Sequence, residues 1–257
     1  MKQQTYVAQQ FGETASSYLS SSVHAQGADL AALHAIAQSM QGPRVLDLGC
    51  GAGHASFAVA SAAQSVVAYD LSAQMLEVVA GASGERGLHN ISTRQGDAGR
   101  LPFANASFDL VLTRFSAHHW PDVQGALHEV RRVLRAGGRF VAIDITAPQA
   151  ALCDTTLQAV ELLRDGSHVR DYRLCEWEAK LKNAGFAHHV SSQWKLTMRF
   201  DEWVARMRTP ALRVQAIRSL FDTAPDEARA YFNLQDDYSF DIDAAMFEAV
   251  CTGQEIS

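Results

Sequence analysis

Between residues 44 and 146, short apolar runs alternate with longer stretches of helical periodicity, and no other feature constrains the fold as strongly. The runs RVLDLG, SVVAYD, NISTRQGD, FDLVLTRFS and GRFVAIDIT read as strands. HASFAVASAA, SAQMLEVVAGASGER and DVQGALHEVRRVLR between them read as helices, the second with Ser72 placed as its N-cap. Strands joined through helices pair in parallel, with right-handed crossovers. The strands at 45–48, 107–113 and 139–145 are rich in Val, Leu, Ile and Phe, as strands covered on both faces must be. Region 42–148 is therefore predicted to be a doubly wound α/β sheet.

The flanks are more helical. In ADLAALHAIAQSM, residues Leu30, Leu33, Ile36, Ala37 and Met40 share one face, and Gly42-Pro43 ends the helix. After Pro148, LCDTTLQAVELLRD and EWEAKLKNAGF are helical in pattern and AHHVSSQWKLTM suits a strand. FDEWVARMRTPALRVQAIRSLF and PDEARAYFNL are again helical, and DAAMFEAVC fits a final strand or a helix. The helices near 200–234 have no counterpart in a minimal α/β sheet and are expected to cap its carboxyl edge. One domain over 1–257 is expected: an N-terminal helical lid at 1–41, a core at 42–148, and remaining sheet elements with a helical cap at 149–257.

Composition narrows the partners. Of 257 residues, 47% are hydrophobic and 19% charged, enough to bury a large core, and the net charge is -6. An acidic chain is a poor match for nucleic acid held through phosphates. The basic stretch EVRRVLRAGGR reads as the C-terminal end of a helix, where positive charge is favourable. The four cysteines form no C-x-x-C pair, His188-His189 has no ligand spacing, and no metal site is expected. With no leader and no apolar run of transmembrane length, the expected setting is a reduced, cytoplasmic one without a membrane partner.

The stretch VLDLGCGAGH ends a buried strand in an aspartate and three alternating glycines. Gly49 lets the chain turn, Gly51 lets the backbone approach a ligand, and Gly53 permits close packing where the next helix begins. Asp70 closes the following strand at about the 20-residue spacing from which an acidic group grips a ribose diol. A nucleoside-containing cofactor is indicated. The loop reads D-L-G-C-G-A-G, a poor match to the G-x-G-x-x-G of a pyrophosphate site.

VLDLGCGAGH resembles the first motif of class I S-adenosylmethionine-dependent methyltransferases. VVAYDLSAQMLEVV resembles their second, GDAGRLPFANASFDLVLTRFSAHHW their third and fourth, and EVRRVLRAGGRFVAID their fifth, in the family's order over about 100 residues. The nearest group is type 11, close to the ubiquinone/menaquinone C-methyltransferase-like branch. FGETASSYLSSSVHAQGADL and WVARMRTP also resemble an uncharacterised bacterial subfamily of it. The resemblance implies a Rossmann-like, seven-stranded, mostly parallel sheet and S-adenosylmethionine as donor.

It also implies roles. Asp47 and the backbone of Gly49, Cys50, Gly51, Gly53 and His54 would hold the amino-acid end of the cofactor. Asp70 would take both ribose hydroxyls, and Leu71 and Met75 would flank the adenine. Gly96, Asp97 and Ala98 would sit at the exocyclic amine, and Arg114, Phe115 and Ser116 beside the methionine portion. His118 and His119, in SAHHWPD past the fourth strand, are candidates for a base or an orienting group; the alternative is a structural histidine, with transfer by proximity alone. Trp120 could stack on a planar acceptor or belong to the core. Phe11, Tyr18 and His24 could close a lid, or belong to an ordinary amphipathic helix. His168, Arg170, Tyr172, Arg206 and Arg208 could bind an anionic acceptor, or form surface salt bridges. The expected activity is methyl transfer to a small molecule by a monomer or homodimer, with O, N or C as acceptor atom left open. Quinone C-methylation, cofactor binding without transfer, and a nicotinamide oxidoreductase are the alternatives.

Overall fold

In the computed structural model, residues 3–12 and 27–252 are described. One seven-stranded sheet runs through the molecule in the order β3-β2-β1-β4-β5-β7-β6. Its strands are β1 (Arg44–Leu48), β2 (Ser65–Asp70), β3 (Ile91–Gln95), β4 (Phe108–Arg114), β5 (Leu134–Thr146), β6 (Phe186–Met198) and β7 (Phe240–Cys251). The first five pair in parallel. β7 lies antiparallel between β5 and β6.

Alternation along β1 divides the core. Val45 faces a layer made by α2 (Ala28–Ser39) and α3 (His54–Ala60), where Leu33, Ile36, Val59, Leu110 and Ile143 are buried together. Leu46 faces the opposite layer, made by α5 (Val123–Val133) and α7 (Leu174–Asn183), with Leu127, Phe140, Trp177 and Phe247. Helix α4 (Ala73–Glu85) flanks β2, and the Ser72 hydroxyl caps it by accepting from the Met75 N–H. Helix α1 (Gln3–Gly12) lies against α4.

The cap has its own core. Helices α6 (Ala151–Arg164), α8 (Phe200–Arg206), α9 (Ala211–Asp222) and α10 (Asp226–Tyr231) enclose Leu157, Phe200, Trp203, Ile217 and Phe221, over the ends of β5 and β7 at Ile145, Phe240 and Ile242. The helical stretch over 200–221 is two helices, because Pro210 has no N–H to continue α8 and starts α9 instead. DAAMFEAVC is strand, not helix: Ala244 to Phe247 are buried between two neighbouring strands. Helix α5 stops at Val133, two residues before the expected end, because Leu134 is already extended and paired with Phe108. The basic stretch there is matched locally: Arg132 with Glu129 at 2.7 Å, Arg135 with Asp109 at 2.9 Å, and Arg139 with Glu248.

A buried ion pair ties α2 to the sheet. Asp29, in the first turn of α2, lies 2.5 Å from the Arg114 guanidinium at the end of β4, with side chains 8% and 7% exposed. Removing one partner strands a buried charge, so Asp29→Ala should destabilise the protein by about 3 kcal/mol. The double variant Asp29→Ala/Arg114→Met should lose less than the sum of the two single variants. Urea unfolding of the four species measures both; strict additivity would count against the pair.

Candidate active site

A cavity opens beyond the carboxyl ends of the parallel strands, where the sheet order reverses between β1 and β4. Val7 and Phe11 of α1 cover one side, and Trp203 of α8 with Leu196 and Met198 of β6 close another.

The glycine loop builds the first wall. Gly49, at φ +71°, donates its N–H to the Tyr69 carbonyl at 2.8 Å, and a Cβ there would stand 2.0 Å from Ser116 Oγ. Gly53, at φ +87°, has no room either, with Val79 2.9 Å from a would-be Cβ. Gly51 differs: a Cβ would meet nothing within 4 Å, so its backbone lies bare along the cavity. Gly96 is required by Tyr69, whose hydroxyl would be 1.9 Å from a Cβ.

The two aspartates of the first strands face this wall. Asp70 is held by the N–H of Gly51 and the N–H of Ser72, one on each oxygen, both at 2.9 Å. Burial raises its carboxyl above the ordinary value. Asp47 accepts from Ser56 Oγ at 2.6 Å through Oδ2, whereas Oδ1 is buried without a partner among the described residues. Burial lifts that carboxyl to about 7. An orphaned carboxylate oxygen beside bare backbone suits a ligand that brings a hydrogen-bond donor.

Leu71, Met75 and Ala98 line the cavity with apolar surface. Asp97 lies beside them, bonded by Gln4 Nε2 of α1 and by the Gly99 N–H. Cys50 and His54 complete the loop side, and burial pushes the Cys50 thiol well up, away from nucleophilic chemistry. Arg114, Phe115 and Ser116 line the floor. Phe115 holds φ +52°, an uncommon backbone for a bulky residue, with its N–H donated to the Ile143 carbonyl at 2.8 Å.

Residues 117–119 form a single helical turn that sets two histidines against the cavity. Asp144, near the end of β5, bonds His118 Nδ1 at 2.6 Å, the His118 N–H at 3.2 Å and the Ile145 N–H at 2.9 Å. Burial opposes a charge on His118, but the Asp144 carboxylate outweighs it and raises the imidazole to about 9. His119 is pushed the other way, by burial and by the cationic neighbour whose ring centroid lies 4.2 Å off. Its Nδ1 points at the Ser167 carbonyl at 3.3 Å, which can only accept, so Nδ1 carries the hydrogen and Nε2 is left as an acceptor. Phe11 packs edge-on against the His119 ring, with centroids 4.9 Å apart.

Other expected residues are dispersed. Trp120 is both core and wall: it is buried, lines the cavity, and donates Nε1–H to Ser116 Oγ at 3.2 Å. Arg206 lines the cavity. His168 does not; it sits behind His118, bonded through Nε2 to Gln158 Oε1 at 3.0 Å, and burial, then the His118 charge, pushes its pKa down. Arg170 and Tyr172 also stand outside the cavity wall, the arginine paired with Asp154 at 3.2 Å and Glu176 at 3.5 Å. Arg208 is exposed in a separate small cleft beside Arg164 and Arg213. Of the residues expected to bind an anionic acceptor, His168, Arg170, Tyr172 and Arg208 thus stand off the main cavity, although Asp171 of the same SHVRDYR segment lines it. Tyr18 and His24 lie outside the described residues. Among the described residues, no group of three or more His, Cys, Asp or Glu side chains is arranged to hold a metal ion.

Sequence reasoning missed Asp144, Glu161, Arg164, Asp165 and Asp171, all near the histidines and all but Asp144 on the cavity wall. Asp144 had a signal: like Asp70, it is a lone acid near the end of an apolar strand. The others come from α6 and the loop after it, and no motif marks them.

Similarity to known proteins agrees with this geometry. The methyltransferase domain family matches residues 46–142. YafE of Escherichia coli is 48% identical over 201 residues, 78% of this chain and 97% of that protein. The methyltransferase YcgJ of Bacillus subtilis is 37% identical over 222 residues, 86% of this chain and 88% of that one. The crystal structure of YcgJ superposes with a TM-score of 0.82 at 34% identity, covering 87% of this chain and 99% of that chain. Likeness to the demethylmenaquinone methyltransferase of Lactococcus lactis is 36% over 112 residues, 42% of this chain and 44% of that one. The chain belongs to the methyltransferase domain family, with the fold of the class I S-adenosylmethionine-dependent methyltransferases.

The histidine pair gives a pH prediction. His118 should remain protonated at neutral pH and titrate near 9 in an NMR titration, while His119 stays neutral. Because the folded value lies above the ordinary 6.5, the stabilisation is full below pH 6.5 and is lost as pH rises through about 9. The stability advantage of the wild type over His118→Asn should shrink across that window. An advantage that does not change with pH would refute the charged pair.

Proposed function

We propose that this protein is an S-adenosylmethionine-dependent methyltransferase acting on a small-molecule acceptor. The observation that carries the reading is one cavity lined at once by Asp47, the bare Gly51 backbone, Asp70 and the His118–His119 pair. When bound, S-adenosylmethionine supplies an electrophilic methyl group on a sulfonium sulfur.

The chain's residues fit that cofactor. Asp70 is fixed by two backbone N–H groups and keeps lone pairs on both oxygens for ribose hydroxyls. The orphaned Oδ1 of Asp47 suits the ammonium of the amino-acid end. Leu71, Met75 and Ala98 offer apolar surface to an adenine, and Asp97 an acceptor for its amine. At the acceptor end, His119 is neutral with Nε2 unprotonated, so it can take a proton from an acceptor. His118, charged against Asp144, helps keep His119 neutral and orders the turn that carries both. Phe11 and Trp120 shelter His119 and its neighbours from bulk water.

A quinone acceptor is less well supported, because the shared length with the demethylmenaquinone enzyme is under half of either chain and the wall around the histidines is strongly polar. The four cysteines are free, which suits a reducing, cytoplasmic setting. No helix among the described residues is long and apolar enough to cross a membrane.

Calorimetry tests the assignment. Asp70→Ala should weaken S-adenosylhomocysteine by about tenfold or more, since it removes the diol acceptor and frees the loop at Gly51. With an acceptor found by a methyl-mass screen, His119→Ala should lower kcat by about 10²-fold while leaving S-adenosylhomocysteine affinity unchanged. Wild-type affinity in the first variant, or wild-type turnover in the second, would remove the corresponding role.

A further inference from the structure

The wall around His119 holds a buried acceptor without a donor among the described residues. Asp165 spends Oδ1 on the Ser167 N–H at 2.8 Å and on the Ser167 hydroxyl at 2.7 Å, which fixes the carboxylate in place. Its Oδ2 is buried and has no partner among the described residues. That oxygen lies 4.0 Å from His119 Nε2, itself an acceptor because Nδ1–H is committed to the Ser167 carbonyl. Two acceptors cannot satisfy each other. Asp171 Oδ2 is a second buried carboxyl oxygen without a partner on the same cavity, but burial pushes this carboxyl well above the ordinary range, toward its protonated form, so it is not counted as an acceptor.

Two neighbouring acids are already paired. Glu161 faces Arg164 at 3.4 Å, and Asp144 holds His118 at 2.6 Å. The Asp165 oxygen has no donor at hydrogen-bond distance among the described residues, so a ligand that brings one would complete it. An alcohol brings one hydrogen and satisfies one of the two acceptors. An ammonium nitrogen brings several in a fan, and two of them can reach acceptors separated as Asp165 Oδ2 and His119 Nε2 are. Ile145, Leu196, Met198 and Trp203 on the same cavity offer apolar surface to a hydrocarbon body.

We infer that Asp165 and His119 form a subsite for the ammonium group of an apolar amine, so that the acceptor is an amine rather than an alcohol, a quinone or an acid. This rests on the methyltransferase reading above and narrows its substrate class.

The test uses benzylamine, benzyl alcohol and benzoate as probes, titrated calorimetrically into the full chain with and without S-adenosylhomocysteine. Benzylamine should bind about tenfold more tightly than either of the others. Asp165→Asn keeps Oδ1 for Ser167 and replaces the free acceptor with a donor, and it should abolish that preference while leaving S-adenosylhomocysteine affinity unchanged. Equal binding of benzylamine and benzyl alcohol, tighter binding of benzoate, or a preference that survives Asp165→Asn would each overturn the subsite. Should that variant fail to fold, the wild-type ranking of the three probes decides alone. Absent S-adenosylhomocysteine binding would strike the cofactor reading instead, and the amine comparison without it would still stand or fall by itself.

Discussion

The parallel pairing of β1 with β2 on one side and β4 on the other is the constraint on which the site depends. Parallel strands need crossovers, and the one after β1 runs to one face through α3 while the one after β4 runs to the other through α5, so a crevice is left at their carboxyl ends. The crevice left there holds the glycine loop. The same pairing carries the ends of β2, β4 and β5 to the crevice, and with them Asp70, Phe115 and Asp144. Changing that strand order would scatter the site even if each element kept its local structure.

Around the crevice, buried charge is arranged in matched sets with a few gaps. Asp29 and Arg114 pair under the floor, Asp144 and His118 under the histidine turn, and Glu161 and Arg164 beside them. The gaps are Asp47 Oδ1, Asp165 Oδ2 and Asp171 Oδ2. An unpaired buried carboxylate oxygen is costly, and its persistence at a cavity wall points to a bound partner rather than to packing. By that criterion Asp47 is assigned to the cofactor end of the proposed site and Asp165 to its acceptor end. The histidines illustrate how environment divides like residues: adjacent in the chain, they are driven to opposite charge states because only one of them reaches a carboxylate at hydrogen-bond distance.

Local signals were legible wherever a residue's role depended on its immediate neighbours. Ser72 caps α4 as its position before the helical run implies. Gly53 packs against Val79 and Gly51 lies bare, as a strand-turn-helix loop requires. The helix over 200–221 was read too long because its apolar spacing continues across Pro210, where the missing N–H breaks it. Arg170 and Arg208 looked equivalent to Arg206 in the sequence, but a guanidinium's neighbours depend on elements far along the chain. Arg170 found Asp154 and Glu176, whereas Arg206 reached the cavity.

The sequence by itself determined the α/β alternation, the glycine turn, the placement of Asp47 and Asp70 at strand ends, and the family to which they belong. These are set by periodicities and spacings that act within about 20 residues. Only the tertiary structure decided which histidine is charged, that α6 contributes to the cavity wall, and that Asp165 faces His119 with a free oxygen. Those outcomes arise from burial and from contacts between segments as distant as residues 119 and 165, where desolvation sets charge states and no local pattern records the partner.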